Sequence, residues 1–327
     1  MLRLMTFEWT PLAITGVSEW AELLAAVEAE DGTGEHHSQD DLVDELGLAL
    51  LDLEDGTRAV WDGDRMVAFG AVYARQAADP VHLMRLWCAV HPDYRRRGLG
   101  GRLVDWAVQA ARVIHERRFP GLPLELHAYV NDRNRWAGAV VTAAGLTPIR
   151  FFYDMGRGLD DPLPVGVMPE GLRVVPYAED LDETAMRVRN EAFVDHWGSV
   201  PHTRESWRSM VVGAGAFSPE DSFVVQEESG RGVGLLITHY FEAETEITGV
   251  REAWIQIIGT LREWRGRGVA GALLAHALTE FRARGYHRAG LGVDVANSTG
   301  ALGVYTRAGF EVKQRTTAYG IELSPGG

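Results

Sequence analysis

Cysteine is nearly missing from this sequence: Cys88 is the only one in 327 residues. No intramolecular disulfide can staple the chain, and no Cys/His cluster has the spacing of a structural zinc site. A reducing cytoplasm is the expected compartment. Long apolar runs are missing too. None approaches the roughly 20 residues needed to cross a bilayer, and Met1-Leu2-Arg3-Leu4-Met5-Thr6 has no apolar core of a signal peptide. A soluble, cytosolic protein with no membrane partner is expected. Positive charge is in short supply: 32 Lys and Arg stand against 46 Asp and Glu, for a formal net charge of −14. Such a surface repels a phosphate backbone wherever the charge is not locally reversed, which argues against nucleic acid as a partner. It suits a cationic acceptor such as an amine, and it also serves plain solubility. With 46% hydrophobic and 24% charged residues, the composition is that of an ordinary globular protein, and the length predicts two domains.

The two halves follow one plan. In the first, Leu86-Trp87-Cys88-Ala89-Val90-His91-Pro92 reads as a buried strand ending at a turn, followed by Tyr94-Arg95-Arg96-Arg97-Gly98-Leu99-Gly100-Gly101. Leu99, Leu103, Val104, Ala107, Val108 and Ala111 then recur at the spacing of an amphipathic helix. The second half repeats this with strand Trp254-Ile255-Gln256-Ile257-Ile258-Gly259-Thr260, turn Trp264-Arg265-Gly266-Arg267-Gly268-Val269-Ala270, and a helix carrying Leu273, Leu274, Ala277, Leu278 and Phe281. Gly268 follows Gly98 by 268 − 98 = 170 positions, so the repeat unit is a whole domain rather than a solenoid module. Hairpins are predicted upstream at Asp62-Gly63-Asp64 and Ser229-Gly230-Arg231-Gly232. Downstream, strands are predicted over 124–130 and 289–295, each leading to a short helix ended by Gly145 or Gly309. The stretch Gly156 to Gly171 reads as a linker, which places domains at 1–163 and 164–327 with the boundary near Pro164.

A strand that stops, a Gly-rich turn and a helix start gather backbone N–H groups and the positive end of a helix dipole at one point, which suits a pyrophosphate. Arg95, Arg96 and Arg97, and likewise Arg262, Arg265 and Arg267, add the positive charge an acidic protein needs there. A single copy would equally describe a tight turn with solvated arginines. Two copies in matching contexts favour the cofactor loop.

Arg95-x-x-Gly98-x-Gly100 and Arg265-x-x-Gly268-x-Ala270 resemble the acetyl-CoA pyrophosphate loop of the GNAT N-acetyltransferase superfamily, and Asn297-Ser298-Thr299-Gly300-Ala301-Leu302-Gly303-Val304-Tyr305-Thr306-Arg307-Ala308-Gly309-Phe310 is similar to its C-terminal signature. The resemblance covers nearly the whole chain, twice. It implies an α/β fold of two tandem GNAT domains, each a mixed, mostly antiparallel sheet flanked by helices. It implies acetyl-CoA as cofactor, held by Arg95, Arg96, Arg97, Gly98, Leu99, Gly100 and Gly101 in the first half and by Arg265, Gly266, Arg267, Gly268, Val269, Ala270 and Gly271 in the second. It further implies splayed strands whose free amides pair with the pantetheine arm, at Cys88, Ala89 and Val90 and at Ile258, Gly259 and Thr260. Gly259 would ease such a distortion, or would simply pack closely.

Thioester aminolysis needs a deprotonated amine, a donor to the carbonyl oxygen and a stabiliser of the departing thiolate. Tyr305 matches the family tyrosine that donates to the sulfur. In the first half Val141 takes that position, so the resemblance implies a catalytically degenerate domain that keeps a structural or regulatory CoA site. Asn134 and Asn297 resemble the asparagine beside pantetheine, or act as helix caps. For the general base the sequence offers Glu252 and Asp294, with His239, Glu242 and Glu244 beyond the hairpin. The acceptor, a small-molecule amine, is expected near Asn190-Glu191-Ala192-Phe193-Val194-Asp195-His196-Trp197, with His196, Trp197 and His239 as substrate residues; Phe193 and Trp197 also fit an i, i+4 core pair. Cys88 reads as a small buried hydrophobe. The expected activity is N-acetyl transfer by direct attack, mainly in the second half, with a CoA-binding sensor and a protein-lysine acetyltransferase as the rival readings. No metal is expected.

Overall fold

The computed structural model describes residues 7–78, 80–297 and 300–323. The readings of Met1–Thr6, and of Ser298 and Thr299 in the second-half signature, lie outside the described residues. In chain order the elements are β1 (Glu8–Thr10), α1 (Val17–Asp31), α2 (Gln39–Leu46), α3 (Leu53–Gly56), β2 (Thr57–Asp62), β3 (Arg65–Ala74), β4 (His82–Val90), α4 (Leu99–Arg118), β5 (Leu124–Asn131), α5 (Arg135–Ala143) and β6 (Thr147–Gly158). There follow β7 (Leu172–Pro176), α6 (Asp182–Ala192), α7 (Arg204–Trp207), β8 (Phe217–Glu227), β9 (Gly232–His239), α8 (Glu242–Thr248), β10 (Glu252–Thr260), α9 (Val269–Ala283), β11 (Arg288–Asp294), α10 (Ala301–Arg307) and β12 (Glu311–Glu322).

Local chemistry accounts for these elements. The Ser38 side chain accepts from Asp41 N–H while Asp41 bonds back to Ser38, a capping box that starts α2. Gly63 takes φ 63° between Asp62 and Arg65, which pair across the β2–β3 hairpin. Helix α4 buries Leu103, Val104, Ala107, Ala111 and Ile114, and α9 buries Leu273, Leu274, Ala277, Leu278 and Phe281. These are the faces the three-to-four spacing predicts, apart from Val108, which is only partly buried. Gly145 and Gly309 adopt φ 92° and 86° just past α5 and α10, the left-handed stop that glycine allows.

The chain forms two compact units. One comprises residues up to Phe151 together with the strand from Thr316 onward, and the other runs from Phe152 to Arg315. In the first unit the strands lie in the order β1-β2-β3-β4-β5-β12, antiparallel except for β4 with β5. In the second the order is β6-β11-β10-β9-β8-β7, antiparallel except for β10 with β11. Each sheet therefore takes its last strand from the opposite half of the sequence: Thr316–Glu322 lies beside β5, and Phe152–Gly158 beside β11. The division departs from the expected boundary near Pro164 for this reason. Gly156–Gly158, the expected start of the linker, is strand, because its backbone pairs with Arg288–Gly290. Among the described residues no helix is long and apolar enough to cross a membrane.

Candidate active site

The two glycine turns have the same backbone. Arg96 and Gly266, 170 positions apart, stand at φ 62° and 74°, and Gly98 and Gly268 at 81° and 87°, each as the residue that starts α4 or α9. Arg96 is the one non-glycine with positive φ among the described residues, a conformation costing roughly 1 kcal/mol that its neighbours must offset. At Gly266, Gly268 and Gly271 nothing lies within 4 Å of where a Cβ would stand, so the N-terminus of α9 is open to an approaching anion.

The side chain of the first arginine of each motif is engaged within the fold. Arg265 donates from Nε to Thr260 O (3.3 Å) and from Nη2 to Ala192 O (2.7 Å). Arg95 donates to Val90 O (3.3 Å) and forms a two-pronged pair with Asp31 at 2.8 and 2.6 Å. Both guanidiniums brace the strand end, Arg95 against Asp31 at the end of α1 and Arg265 against Ala192 at the end of α6. Arg262, Arg267, Arg96 and Arg97 are exposed beside the turns, with Arg267 stacked 5.0 Å over Trp264 and Arg97 4.7 Å over Tyr94.

Strands β10 and β11 pair in parallel only from Glu252 with Arg288 to Ile255 with Leu291, although β10 continues to Thr260. The two strands separate there. On its other side β10 carries a bulge: Ile255 faces Thr238 and Ile257 faces Ile237, leaving Gln256 without a partner on β9. A bulge re-aims the strand, and here it coincides with the splay. The distortion sits at Gln256, not at Gly259. The space beside Gly259 is taken by Phe193, Ala192 and Leu235 at 3.0–3.2 Å from its missing Cβ, so that glycine serves close packing of α6. Ile258 is partly buried, and the Thr260 hydroxyl is buried with no hydrogen-bond partner among the described residues.

Tyr305 lies in the core cluster at 7% exposure, its ring edge-on to Phe310. Burial pushes its phenol up to about 12, so it stays protonated and can donate but not act as a base. Glu252 is bonded to Arg288 (2.8 Å), which also meets Glu244 (3.2 Å). The buried Asp294 accepts from Ala296 N–H (3.0 Å) and shapes the turn after β11. Asn297 N–H closes the same turn on Asp294 O (3.1 Å). His239 is buried and pushed down to about 4 by that burial, so it is neutral at physiological pH, and its Nε2 is unpartnered among the described residues. Glu242 lies at the exposed start of α8. Phe193–Trp197 follow the end of α6; His196 contacts Trp197 O through Nδ1 (3.2 Å), and the Trp197 ring lies 6.1 Å from Phe152 on β6. The expected Phe193–Trp197 core pair gives way to these separate contacts.

One residue on this face was not singled out from the sequence. Asp154 on β6 is opposite Gly292, and its carboxylate lies 3.8 Å from where a Gly292 Cβ would stand, with the Trp254 ring at 3.9 Å. The alternating run Phe152, Asp154, Gly156 was a strand signal at the edge of the stretch read as linker.

Comparison with known proteins bears directly on this geometry. Residues 183–310 match the acetyltransferase (GNAT) family model and residues 55–151 an acetyltransferase (GNAT) domain model. The mycothiol acetyltransferase of Thermobispora bispora is 30% identical over 77% of this chain and 78% of its own length. The chain belongs to the GNAT acetyltransferase family. Another relative, the mycothiol acetyltransferase of Segniliparus rotundus, is 29% identical over 86% of this chain and 98% of its own. Among solved structures, a GCN5-related N-acetyltransferase from Sphaerobacter thermophilus superposes with a TM-score of 0.78 at 28% identity, covering 100% of this chain and 98% of that one. A tandem GNAT protein from the clavulanic acid biosynthesis pathway shares the fold, with a TM-score of 0.72 at 19% identity over 98% and 100% of the two chains.

GNAT acetyltransferases take their acetyl group from acetyl-CoA. In the second unit the strand edge after Ile255 that β11 leaves unpaired, the buried, unpartnered Thr260 hydroxyl and the open turn at Gly266–Gly268 follow one another along the chain. The first unit differs. Its β4 also leaves β5 after Leu86, but β3 and β4 stay in unbroken register from Ala68 with Val90 to Ala74 with Met84, so there is no bulge at Cys88 or Ala89. Burial pushes the Cys88 thiol up to about 12 and leaves it inert. The Trp136 ring lies 3.0 Å from where a Gly100 Cβ would stand, under Arg95 at 4.9 Å. Gly100 thus makes room for Trp136, whereas Gly98 and Gly101 remain open and Leu99 is buried. Asn134 accepts from Ala137 N–H (2.9 Å), as a helix cap does, and donates to Asp31 (2.7 Å). Val141 fills the tyrosine position in the core. On the opposite face Trp87 packs against Trp20, Phe69 and His37 at 4.9–5.5 Å.

Proposed function

We propose that this protein transfers acetyl from acetyl-CoA to the amine of a small molecule by direct attack, in its second unit, and that the first unit is a structural GNAT domain that takes up no cofactor. The observation that carries this reading is the bulged, splayed β10 running into its glycine turn, set against an unbulged β4 whose turn, open at Gly98 and Gly101, is backed by Trp136 at Gly100. In this reading the backbone of Ile258, Gly259 and Thr260 pairs with the pantetheine arm. The N–H groups of Arg265 through Gly271 take the pyrophosphate, with Arg262 and Arg267 supplying charge. The amine nitrogen bonds to the acetyl carbon and sheds a proton, the carbon–sulfur bond breaks, and Tyr305 gives its phenolic proton to the sulfur and regains one from solvent. Burial keeps the phenol protonated and so available as a donor to the departing sulfur. No covalent enzyme intermediate is needed. The relatives' name makes the acceptor of the mycothiol acetyltransferases the first compound to try. Release of free CoA thiol, followed with that acceptor and a panel of primary amines, tests the proposal. Amine-dependent release is expected, whereas tight acetyl-CoA binding without release for any amine would point to a sensor instead.

A further inference from the structure

The sheet face of the second unit that faces away from α9 and α10 is unusually bare at one point. Side chains alternate along strands, so the opposed pairs Glu252 with Arg288, Trp254 with Gly290, Gly292 with Asp154 and Asp294 with Phe152 share this face. Two glycines stand where β11 would otherwise present side chains. The Trp254 indole occupies the first gap, 2.7–2.9 Å from the missing Gly290 Cβ, and is held by its Nε1 donating to Gln256 (3.1 Å). The second gap, above the exposed Gly292, lies between that ring and the Asp154 carboxylate. Gly292 is the first residue of β11 beyond the last pair with β10, so the gap opens at the mouth of the splay.

The Asp154 carboxylate is fixed from one side only. Gln314 Nε2 donates to Oδ2 (3.0 Å), while Oδ1 has no hydrogen-bond partner among the described residues. Other charged groups on this face are engaged: Glu252 and Glu244 with Arg288, Asp294 with its own turn, and Lys313, whose stem lies over Gly156, with Glu311 at 3.1 Å. Burial pushes the Asp154 carboxyl up from its ordinary range, and the Gln314 bond only partly opposes this. An ionised carboxylate in that setting is short of a cation or a proton.

We propose that Asp154, on the strand lent to the second unit by the first half of the chain, receives the acceptor's amino group in the gap above Gly292 and takes the proton that the nitrogen sheds. This rests on the proposed acetyl transfer. The bound ammonium first gives one proton to Oδ1, and the neutral amine then bonds to the acetyl carbon as the carbon–sulfur bond breaks, its second proton leaving to solvent while Tyr305 gives one to sulfur. Solvent collects both nitrogen protons and restores the phenolic one. The Trp254 ring borders the same gap, 3.9 Å from the missing Gly292 Cβ, so the fitting acceptor is a primary ammonium on a carbon skeleton with an apolar or ring face.

The test compares wild type, Asp154→Asn and Asp154→Glu with two probes: the best primary alkylamine of the panel, which is protonated at neutral pH, and methoxyamine, which is not. In Asp154→Asn, kcat/KM for the alkylamine is expected to fall about 100-fold or more. Its loss of rate at acid pH should disappear, while methoxyamine loses less than about 10-fold and the Kd for acetyl-CoA stays within about two-fold. Asp154→Glu should recover part of the rate. A wild type that acetylates neither amine would defeat the proposed function and this inference with it. A working wild type matched by Asp154→Asn, or a variant equally slow with both amines, would overturn the inference alone.

Discussion

Thr260 offers a perturbation whose two effects have opposite signs. Its hydroxyl is buried at the end of β10 with no partner among the described residues, which costs the ligand-free protein about 1–3 kcal/mol. Valine has nearly the same shape without the hydroxyl, so Thr260→Val should stabilise the free protein. For a domain of this size each kcal/mol moves Tm by roughly 2–4 °C, so a rise of several degrees is expected. If the hydroxyl is aimed at the pantetheine arm, the variant also forfeits a hydrogen bond worth about 0.5–1.5 kcal/mol, and acetyl-CoA should bind about 2- to 10-fold more weakly. The first unit supplies the control. Its counterpart 170 positions earlier is Val90, at 1% exposure, and Val90→Thr should lower stability without improving acetyl-CoA binding. Differential scanning calorimetry of the free protein and titration calorimetry with acetyl-CoA read both effects. A Thr260→Val variant that is less stable, with unchanged affinity, would refute the reasoning.

Tyr305→Phe should cut kcat while leaving the acetyl-CoA Kd nearly unchanged, and unaltered turnover would remove Tyr305 from the mechanism. Gly292→Leu, placed in the gap before Asp154, is expected to raise the KM for the amine at least 10-fold and leave acetyl-CoA affinity alone; an unchanged amine KM would place the acceptor elsewhere. His82 and His239 are both pushed down to about 4 by burial, so below about 6.5 the unfolded chain binds more protons than the folded one. Stability should therefore be full above pH 6.5 and fall as the pH drops towards 4. Urea midpoints at pH 7, 5.5 and 4.5 check this, and a flat profile would contradict it.

The duplicated plan was legible because it is written in local signals. Hairpin glycines, the strand-turn-helix runs ending at Gly98 and Gly268, and the apolar spacing of α4 and α9 all depend on near neighbours. What was not legible depends on partners far away in the chain. Nothing near Thr316 or Phe152 announces that these strands complete the sheets of opposite halves, and reading Gly156 as linker hid Asp154. Composition also could not separate the arginines: Arg95 and Arg265 look like phosphate ligands beside Arg97 and Arg267, yet they brace Asp31 and Ala192. Gly100 shows the same ambiguity. In sequence it belongs to a cofactor loop, and in the fold it is the space that Trp136 fills.

The central claim is that one cofactor site, in the second unit, does the work. It is tested most directly by calorimetric titration of acetyl-CoA into wild type, Gly98→Glu and Gly268→Glu. The account predicts one site per chain in wild type and in Gly98→Glu, and none in a folded Gly268→Glu. Two sites in wild type, or binding that survives Gly268→Glu and is lost in Gly98→Glu, would contradict it.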